Sequence, residues 1–424
     1  PRLCCRNRGR RDSRGGHEPG KPRESRRMIV GNIASLDIDP FDEAFLADPY
    51  AHHAALRDAG PVVWLEPLGV YAMARFDEVQ SALRDHETFC SSRGVGLADF
   101  SKEEPFRPPS LLLEADPPLH DRTRSIMNRI VSLQALKQLR PAWQAKADAL
   151  IAKLVSKGQF DAVPELSEAF PMMIFPDMIG LADEGREHLI DYATIVFNAF
   201  GPRNRVFEDG NAGKQAAIEW VAWACERQNL KPGGWGMALY EAADRGECTP
   251  EEAGKMVRSF LSAGVDTTVN GIGHMVLALA SHPEEFQKLR ENQKLASRAF
   301  EESLRWDSTV QTFFRTTTKD TEVAGSNIPE GSKVLLFLAS ANRDPRKWED
   351  ADQFRIDRNV SGHVGFGFGI HQCLGQMVAR LEGELIGEAM AKQVSAIRMT
   401  GEARRRLNNT LHALGSLPVA MEAA

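Results

Sequence analysis

A mainly helical fold with a smaller β-rich region follows from three observations on the sequence. From Met28 onward apolar residues recur mostly at helical spacing, with no linker, repeat or seam, so residues 28–424 are expected to form one domain. Strand-like runs are short and few, at 61–75 ("PVVWLEPLGVYAMAR"), 309–318, 322–328 and 333–338, enough for a smaller β-rich region. One long helix is delimited by its own chemistry, starting at "TPEE" (249–252) and stopping before the "HP" at 282–283.

The first 27 residues hold ten Lys/Arg against three Asp/Glu and almost no apolar side chain. Such a segment cannot bury a core and is expected to be disordered; it also lacks the apolar centre of a signal peptide. A nucleic-acid-binding arm is one reading; the other, preferred, is upstream or non-native sequence ahead of a natural start at Met28. Beyond it stand 42 basic and 55 acidic residues, a formal charge of −13, which argues against nucleic acid as a partner. Six cysteines, at 4, 5, 90, 225, 248 and 373, follow no disulfide pattern and favour a reducing, intracellular compartment. No apolar run approaches the roughly 18 to 20 residues of a membrane span. A soluble, cytoplasmic protein is expected.

Between about 86 and 116 the chain is irregular and rich in Gly, Pro and Ser; loops of that length inside a domain are usually functional. In "TPEE", Thr249 is placed as N-cap, Pro250 at the first helical position and Glu252 to reach back to the cap. The pattern then runs to Ser281, 32 residues or about 48 Å of helix. Its centre, "AGVDTT" (263–268), groups poor helix formers, and a Thr hydroxyl there can bond back to a preceding carbonyl and bend the helix. That is the signature of a functional distortion; alone, it describes a packing notch in a core helix equally well.

The stretch "FGFGIHQCLG" (366–375) carries three glycines around a cysteine. After Cys373 apolar residues recur at 374, 377, 378, 381 and 385, the period of an amphipathic helix. The thiol therefore sits at a helix N-terminus, where the dipole favours the thiolate. A phosphate cradle has no use for this cysteine, and His371 with Cys373 has no second ligand pair at zinc spacing. A single thiolate ligand to a large, flat cofactor fits best, the glycines admitting a ring against the loop.

F-G-x-G-x-H-x-C-x-G resembles the haem-ligand loop of the cytochrome P450 family, the haem-thiolate monooxygenases. Three further segments occur in the matching order: "DPPLHDRTR" (116–124) resembles the helix that grips the haem propionates, "AGVDTT" the oxygen-activation segment, and "ESLR" (302–305) the Glu-x-x-Arg pair, with "FRIDR" (354–358) supplying Arg358 to complete a buried triad. Standing alone, Glu302 and Arg305, one helical turn apart, would read as a solvated surface pair. The resemblance covers about residue 40 to the C-terminus and implies the family's single, mostly helical wedge. It implies haem b, with Cys373 as metal ligand, Phe366 and Gly375 against the ring, and His120, Arg124, Arg315 and His371 toward the propionates. It also implies Thr267 beside bound dioxygen and Asp266 as relay to solvent, the acid–alcohol pair of a true monooxygenase. An axial thiolate favours O–O cleavage. Lacking room for a fused redox module, the chain is expected to take electrons from an iron–sulfur ferredoxin and its NAD(P)H-dependent reductase. A basic patch including Arg129, Arg346, Lys347 and Arg380 would steer that partner. A monomer is expected. The alternative class is a non-catalytic haem sensor or carrier, which needs no proton relay.

For the substrate, "FRPPSLLL" (106–113) offers Arg107 and Ser110 to an anion and Leu111, Leu112 and Leu113 as apolar wall. "VRSFLSAGVDTT" (257–268) offers Arg258, Ser259, Ser262 and Ala263, while Phe197, Phe200 and Phe313 can clamp a flat ring. These stretches resemble the bacterial P450s that oxidise para-substituted benzoates. The resemblance implies a small aromatic carboxylate held by Ser110 and Ser259 with Arg107 and Arg258 nearby: O-demethylation of 4-methoxybenzoate, or oxidation of a 4-alkylbenzoate or cinnamate. Another small hydrophobic substrate is the alternative.

Overall fold

The expected capping box at Thr249 forms: its side chain accepts from the Glu252 amide at 3.1 Å, and Glu252 accepts from the Thr249 amide at 2.9 Å. The helix it starts does not run unbroken. In the computed structural model it ends at Ala263, and a second helix spans Asp266–Ser281, with Gly264 and Val265 between them outside helix. The physical reason is local. The Thr267 hydroxyl donates to the Ala263 carbonyl at 2.7 Å, and Gly264 lies so close to the Phe175 ring that a Cβ would stand 2.2 Å from it. Both readings of "AGVDTT" therefore hold at once, distortion and packing notch.

The structure describes residues 28–30 and 33–424, the side chains from Ile33 on; the basic 1–27 segment lies outside the described residues. Helices form the bulk of the molecule, and their apolar faces meet in one large cluster that runs from Val95 to Met421. A seven-stranded sheet lies beside them, in spatial order Met28–Val30, Ile33–Leu36, Val63–Leu65, Val70–Met73, Lys333–Phe337, Thr312–Thr317 and Phe89–Cys90. The strand-like runs read from sequence thus form, and the 61–75 run folds as an antiparallel hairpin turning at Gly69, φ +62°.

The irregular stretch after Cys90 holds no helix or strand until Leu119. Lys333 anchors it by donating to the carbonyls of Arg93, Gly94 and Gly96 at 3.3, 2.8 and 2.9 Å. The Leu97 amide then bonds the Phe200 carbonyl at 2.8 Å, stitching the loop to the end of the His188–Asn198 helix. On the opposite side, Glu302 and Arg305 are fully buried and paired at 2.7 and 2.8 Å. Arg305 also donates to the carbonyls of Asn342, Ala351 and Gln353, and Arg358 reaches Glu302 at 3.3 Å.

A second buried network ties the C-terminal hairpin to the core. Asp307 accepts from His412 Nδ1 at 2.7 Å and from Arg405 Nη2 at 2.8 Å, while His274 Nε2 lies 2.8 Å from the His412 carbonyl and 3.1 Å from Arg405 Nη1. His274, Asp307 and His412 stand close enough to hold a metal ion, but the Arg405 guanidinium already supplies the positive charge that Asp307 needs. Burial lowers the His274 pKa to about 4, with Asp307 opposing the shift. Between pH 6.5 and about 4 the unfolded chain takes up a proton there that the folded chain refuses, so stability falls as pH drops through that window, by up to about 3 kcal/mol. His274→Gln is expected to lessen the difference in unfolding free energy between pH 7 and pH 4.5; identical differences in the two proteins would remove His274 from the acid response.

Candidate active site

The loop at 366–375 is shaped by backbone demands that only glycine meets. Gly367 and Gly369 both have positive φ, +69° and +72°, and a Cβ on Gly369 would stand 2.6 Å from the Leu83 carbonyl oxygen. The turn closes with the Cys373 amide donating to the Phe366 carbonyl at 2.8 Å, and the following helix runs Gln376–Gln393. Val378, Leu381 and Leu385 bury as the periodicity predicts, whereas Met377 is 38% exposed, because its position faces outward just past the helix start. One expectation is corrected. Burial pushes the Cys373 thiol up, and the amides of Gly375 and Gln376 with Arg124 and Arg380 only partly offset it; the dipole argument omitted the desolvation of a buried sulfur.

Cys373 faces a cavity of about 1760 Å³, its open mouth included. Phe366, Gly375, Arg124, Arg315 and His371 line the Cys373 side. Phe366 has Arg380 over its ring at 4.7 Å. His120 lies behind the wall, its ring 4.6 Å from that of His371. Here the polar groups are incompletely partnered. His120 Nδ1 lies 3.0 Å from Asp121 and His371 Nε2 3.9 Å from Asp116, but Nε2 of both histidines is buried without a hydrogen bond. Among the described residues Arg315 bonds the neighbouring Phe314 carbonyl and Arg124 the Gln372 carbonyl. Burial lowers Arg315 to about 10 and Arg124 and His371 in the same direction, His371 to about 4.

The broken helix forms another wall, with Ser259, Ser262, Ala263, Gly264, Thr267 and Thr268 on the cavity. Asp266 points away from it. It is fully buried, accepting from Asn270 at 3.0 Å and from Arg406 Nη2 at 2.9 and 3.1 Å. Arg406 is 31% exposed and also donates to Thr194, so it links Asp266 to the molecular surface. Glu168, pushed up by burial, is near enough to feel both charges. Sequence reasoning missed Arg406, which lies 140 residues from its partner.

The predicted substrate residues Arg107, Ser110, Leu113, Phe197, Phe200, Arg258, Ser259, Ser262, Ala263 and Phe313 all line the same cavity, and Leu112 joins them while Leu111 does not. Phe200 meets Phe197 and Phe313 edge to face at 5.8 and 5.7 Å. Ser110 Oγ and Ser259 Oγ lie 3.1 Å apart, and Arg258 donates to the Pro108 carbonyl at 2.7 Å. Sequence reasoning also missed Glu114, whose Oε2 accepts from Arg107 at 3.0 Å and from the Ser110 amide at 2.8 Å.

Of the cations expected to form a docking patch, Arg129, Arg346 and Arg380 are each ion-paired, with Glu247, Asp58 and Glu301, and Lys347 lies over Phe76 at 4.9 Å. Acids thus partly offset the three arginines, while Lys347 keeps its full charge above a neutral ring.

The comparisons with known proteins agree with this geometry. Residues 237–395 match the Cytochrome P450 family model. Cytochrome p450 CYP199A2 of Rhodopseudomonas palustris is 53% identical over 400 residues, covering 92% of this chain and 95% of the relative. Vitamin D(3) 25-hydroxylase of Pseudonocardia autotrophica is 32% identical over 403 residues, covering 93% and 99%. The solved structure of cytochrome P450 CREJ in complex with (4-ethylphenyl) dihydrogen phosphate superposes with a TM-score of 0.82 at 27% identity, covering 91% of this chain and 99% of that one. No described helix is long and apolar enough to cross a membrane. Similarity spanning nearly the whole length, on this fold, places the chain in the cytochrome P450 family, as a monooxygenase that binds haem b and uses dioxygen with electrons from redox partners.

Proposed function

We propose that this P450 oxidises small aromatic carboxylic acids at the para position, by O-demethylation of 4-methoxybenzoate or oxidation of a close relative such as a 4-alkylbenzoate or cinnamate. One observation carries the reading: a single cavity joins Cys373 and Thr267 to a polar end made by Arg107, Ser110, Arg258 and Ser259, with Phe197, Phe200 and Phe313 on its walls. Ser259 and Thr267 lie eight residues apart in sequence, on the two helices either side of the break. That suits a ring held by its carboxylate with the opposite substituent directed at the reaction centre. CREJ, with its (4-ethylphenyl) dihydrogen phosphate, offers a parallel: a para-substituted ring with an anionic head in a cavity of the same fold.

The residues fit haem b. Cys373 would hold the iron, Phe366 and Gly375 would meet the ring, and His120, Arg124, Arg315 and His371 would take the propionates; Nε2 of both histidines is without a hydrogen bond, and burial lowers Arg124, Arg315 and His371. When bound, haem supplies the activation of dioxygen, which with two electrons and two protons gives one oxygen atom to the substrate and one to water. For a methoxy group the products are the phenol, formaldehyde and water. Residues 28–424 would act as one domain and a monomer in the cytoplasm, with a ferredoxin and NAD(P)H-dependent reductase supplying the electrons.

The chain's own part is to position and to move protons. Thr267 Oγ1–H, now on the Ala263 carbonyl, can turn into the cavity and donate there. Asp266 is the group through which that proton would be replaced from solvent, with Arg406, partly exposed, positioning its carboxylate and carrying no proton itself. Ser110 Oγ already accepts from the Leu112 and Leu113 amides at 3.2 and 3.1 Å, and its own hydrogen, now directed at Ser259 Oγ, would turn to meet a carboxylate. Charge-assisted bonds of this kind contribute roughly 1.5 to 3 kcal/mol each.

Three outcomes are expected. Spin-state titration should show 4-methoxybenzoate binding at least about tenfold more tightly than its methyl ester, from the loss of one charge-assisted bond; equal affinities would remove the carboxylate site. Cys373→Ala should lose the strongly red-shifted absorption of the reduced, carbon monoxide-bound enzyme together with activity, and an intact spectrum would exclude Cys373 as ligand. Thr267→Ala should keep haem and the substrate-induced spin shift but lower product formed per NAD(P)H on the order of tenfold, with hydrogen peroxide released instead. Unchanged coupling would mean that protons arrive by another route.

A further inference from the structure

The polar end of the cavity holds three charged side chains, and their pairing is uneven. Arg107 is bound by Glu114 at 3.0 Å, both largely buried at 14% and 3% side-chain exposure. Arg258 has no acidic partner among the described residues; it donates to the Pro108 carbonyl, and burial lowers its pKa, with Arg107 pressing the same way. Two guanidiniums thus face the head-group site with one of them already neutralised. We propose that Glu114 is a specificity-determining, positioning residue that limits the cavity to substrates with a single negative charge on the head group. This rests on the carboxylate reading above and deepens it.

Glu114 is not on the cavity wall and acts through two groups that are. Its Oε2 holds Arg107 and also the Ser110 amide, at 2.8 Å, which fixes the turn whose hydroxyl faces Ser259. Ser259 in turn donates to the Lys255 carbonyl at 3.1 Å, so the two hydroxyls form a neutral receptor beside one uncompensated cation, Arg258. A carboxylate or other monoanion balances that cation. A dianion brings a second charge into a buried region that already holds the Glu114 carboxylate, whose one cationic partner among the described residues is Arg107, and repulsion there is weakly screened. Arg107 cannot answer the second charge without abandoning Glu114, which would leave an unpaired buried carboxylate.

The test uses matched ligands in the haem-loaded enzyme. At pH 8, 4-methoxyphenyl phosphate is a dianion and its methyl diester, 4-methoxyphenyl methyl phosphate, a monoanion; each is titrated by displacement of 4-methoxybenzoate. The wild type is expected to bind the diester at least about tenfold more tightly than the dianion. In Glu114→Gln, which keeps an oxygen for Arg107 and the Ser110 amide but removes the charge, that ratio should fall about tenfold. A loosened loop would weaken both ligands together and leave the ratio unmoved. An unchanged ratio in Glu114→Gln overturns the proposal, as does a wild type that prefers the dianion. Should the variant fail to take up haem, the wild-type pair still decides. The benzoate–ester comparison reports separately on the carboxylate reading: its failure leaves acid and ester equal, while failure of the Glu114 proposal leaves them distinct and the phosphate ratio unmoved.

Discussion

Glu302 and Arg305 sit one helical turn apart with no solvent exposure, a place where two charges survive only if every donor and acceptor is used. They are used. Arg305 gives two bonds to Glu302 and three to the carbonyls of Asn342, Ala351 and Gln353, and Glu302 takes the Arg355 amide and Arg358 besides. The pair therefore fixes the irregular 342–358 segment against the Ala296–Trp306 helix. Asn342 carries that constraint onward, its Oδ1 accepting from the Val364 amide at 2.8 Å at the mouth of the cysteine loop. Such a pair adds little net stability, but breaking it strands a buried charge. It determines where Cys373 stands and so where everything facing Cys373 must be.

The opposite wall obeys a different rule. A helix that propagated through 264 and 265 would give Thr267 a hydroxyl in an ordinary helical position and close the gap beside Phe175. Instead the close approach of Gly264 to that ring, with the back-bond from Thr267, leaves the wall broken at the point nearest the reaction centre. Few local costs are needed, since the sequence there has low helix propensity to forfeit. The break presents Thr267 to the cavity and turns Asp266 to the other side, onto Arg406, so adjacent residues serve a dry compartment and a wet one.

Local patterns were the legible part of this protein. The capping box, the Cys373 loop and the Glu302–Arg305 spacing are contained in windows of ten residues or fewer, and each carries its physical reason within the window. What was not legible depended on chain segments meeting from afar or on irregular backbone. Arg406 reaches Asp266 across 140 residues, and nothing in "RRRL" at 404–407 distinguishes it from a solvated arginine. Glu114 lies only seven residues from Arg107, yet the loop has no periodicity to say which side chains converge. The direction of the Cys373 thiol was misjudged because a dipole can be read from a helix start, whereas desolvation requires knowing what covers the sulfur.

Charge distribution gives the cavity its character. Beyond residue 27 the chain has a formal charge of −13, yet both polar ends of its cavity are positive. At one end Arg124 and Arg315 stand with His120 and His371, which lie beside Asp121 and Asp116, and the Asp116 carboxylate is itself engaged by the Ser91 and Ser92 amides at 3.0 Å. At the other, Arg258 remains after Glu114 has neutralised Arg107. Burial works against each of these cations, as the lowered values of Arg124, Arg258 and Arg315 express. Between the ends lie Phe197, Phe200 and Phe313, which offer area and no charge. A cavity built this way is electrostatically incomplete until anions arrive at both ends. The haem carries carboxylate arms that would complete one end, and the substrate proposed above, a ring with one acidic head, would complete the other.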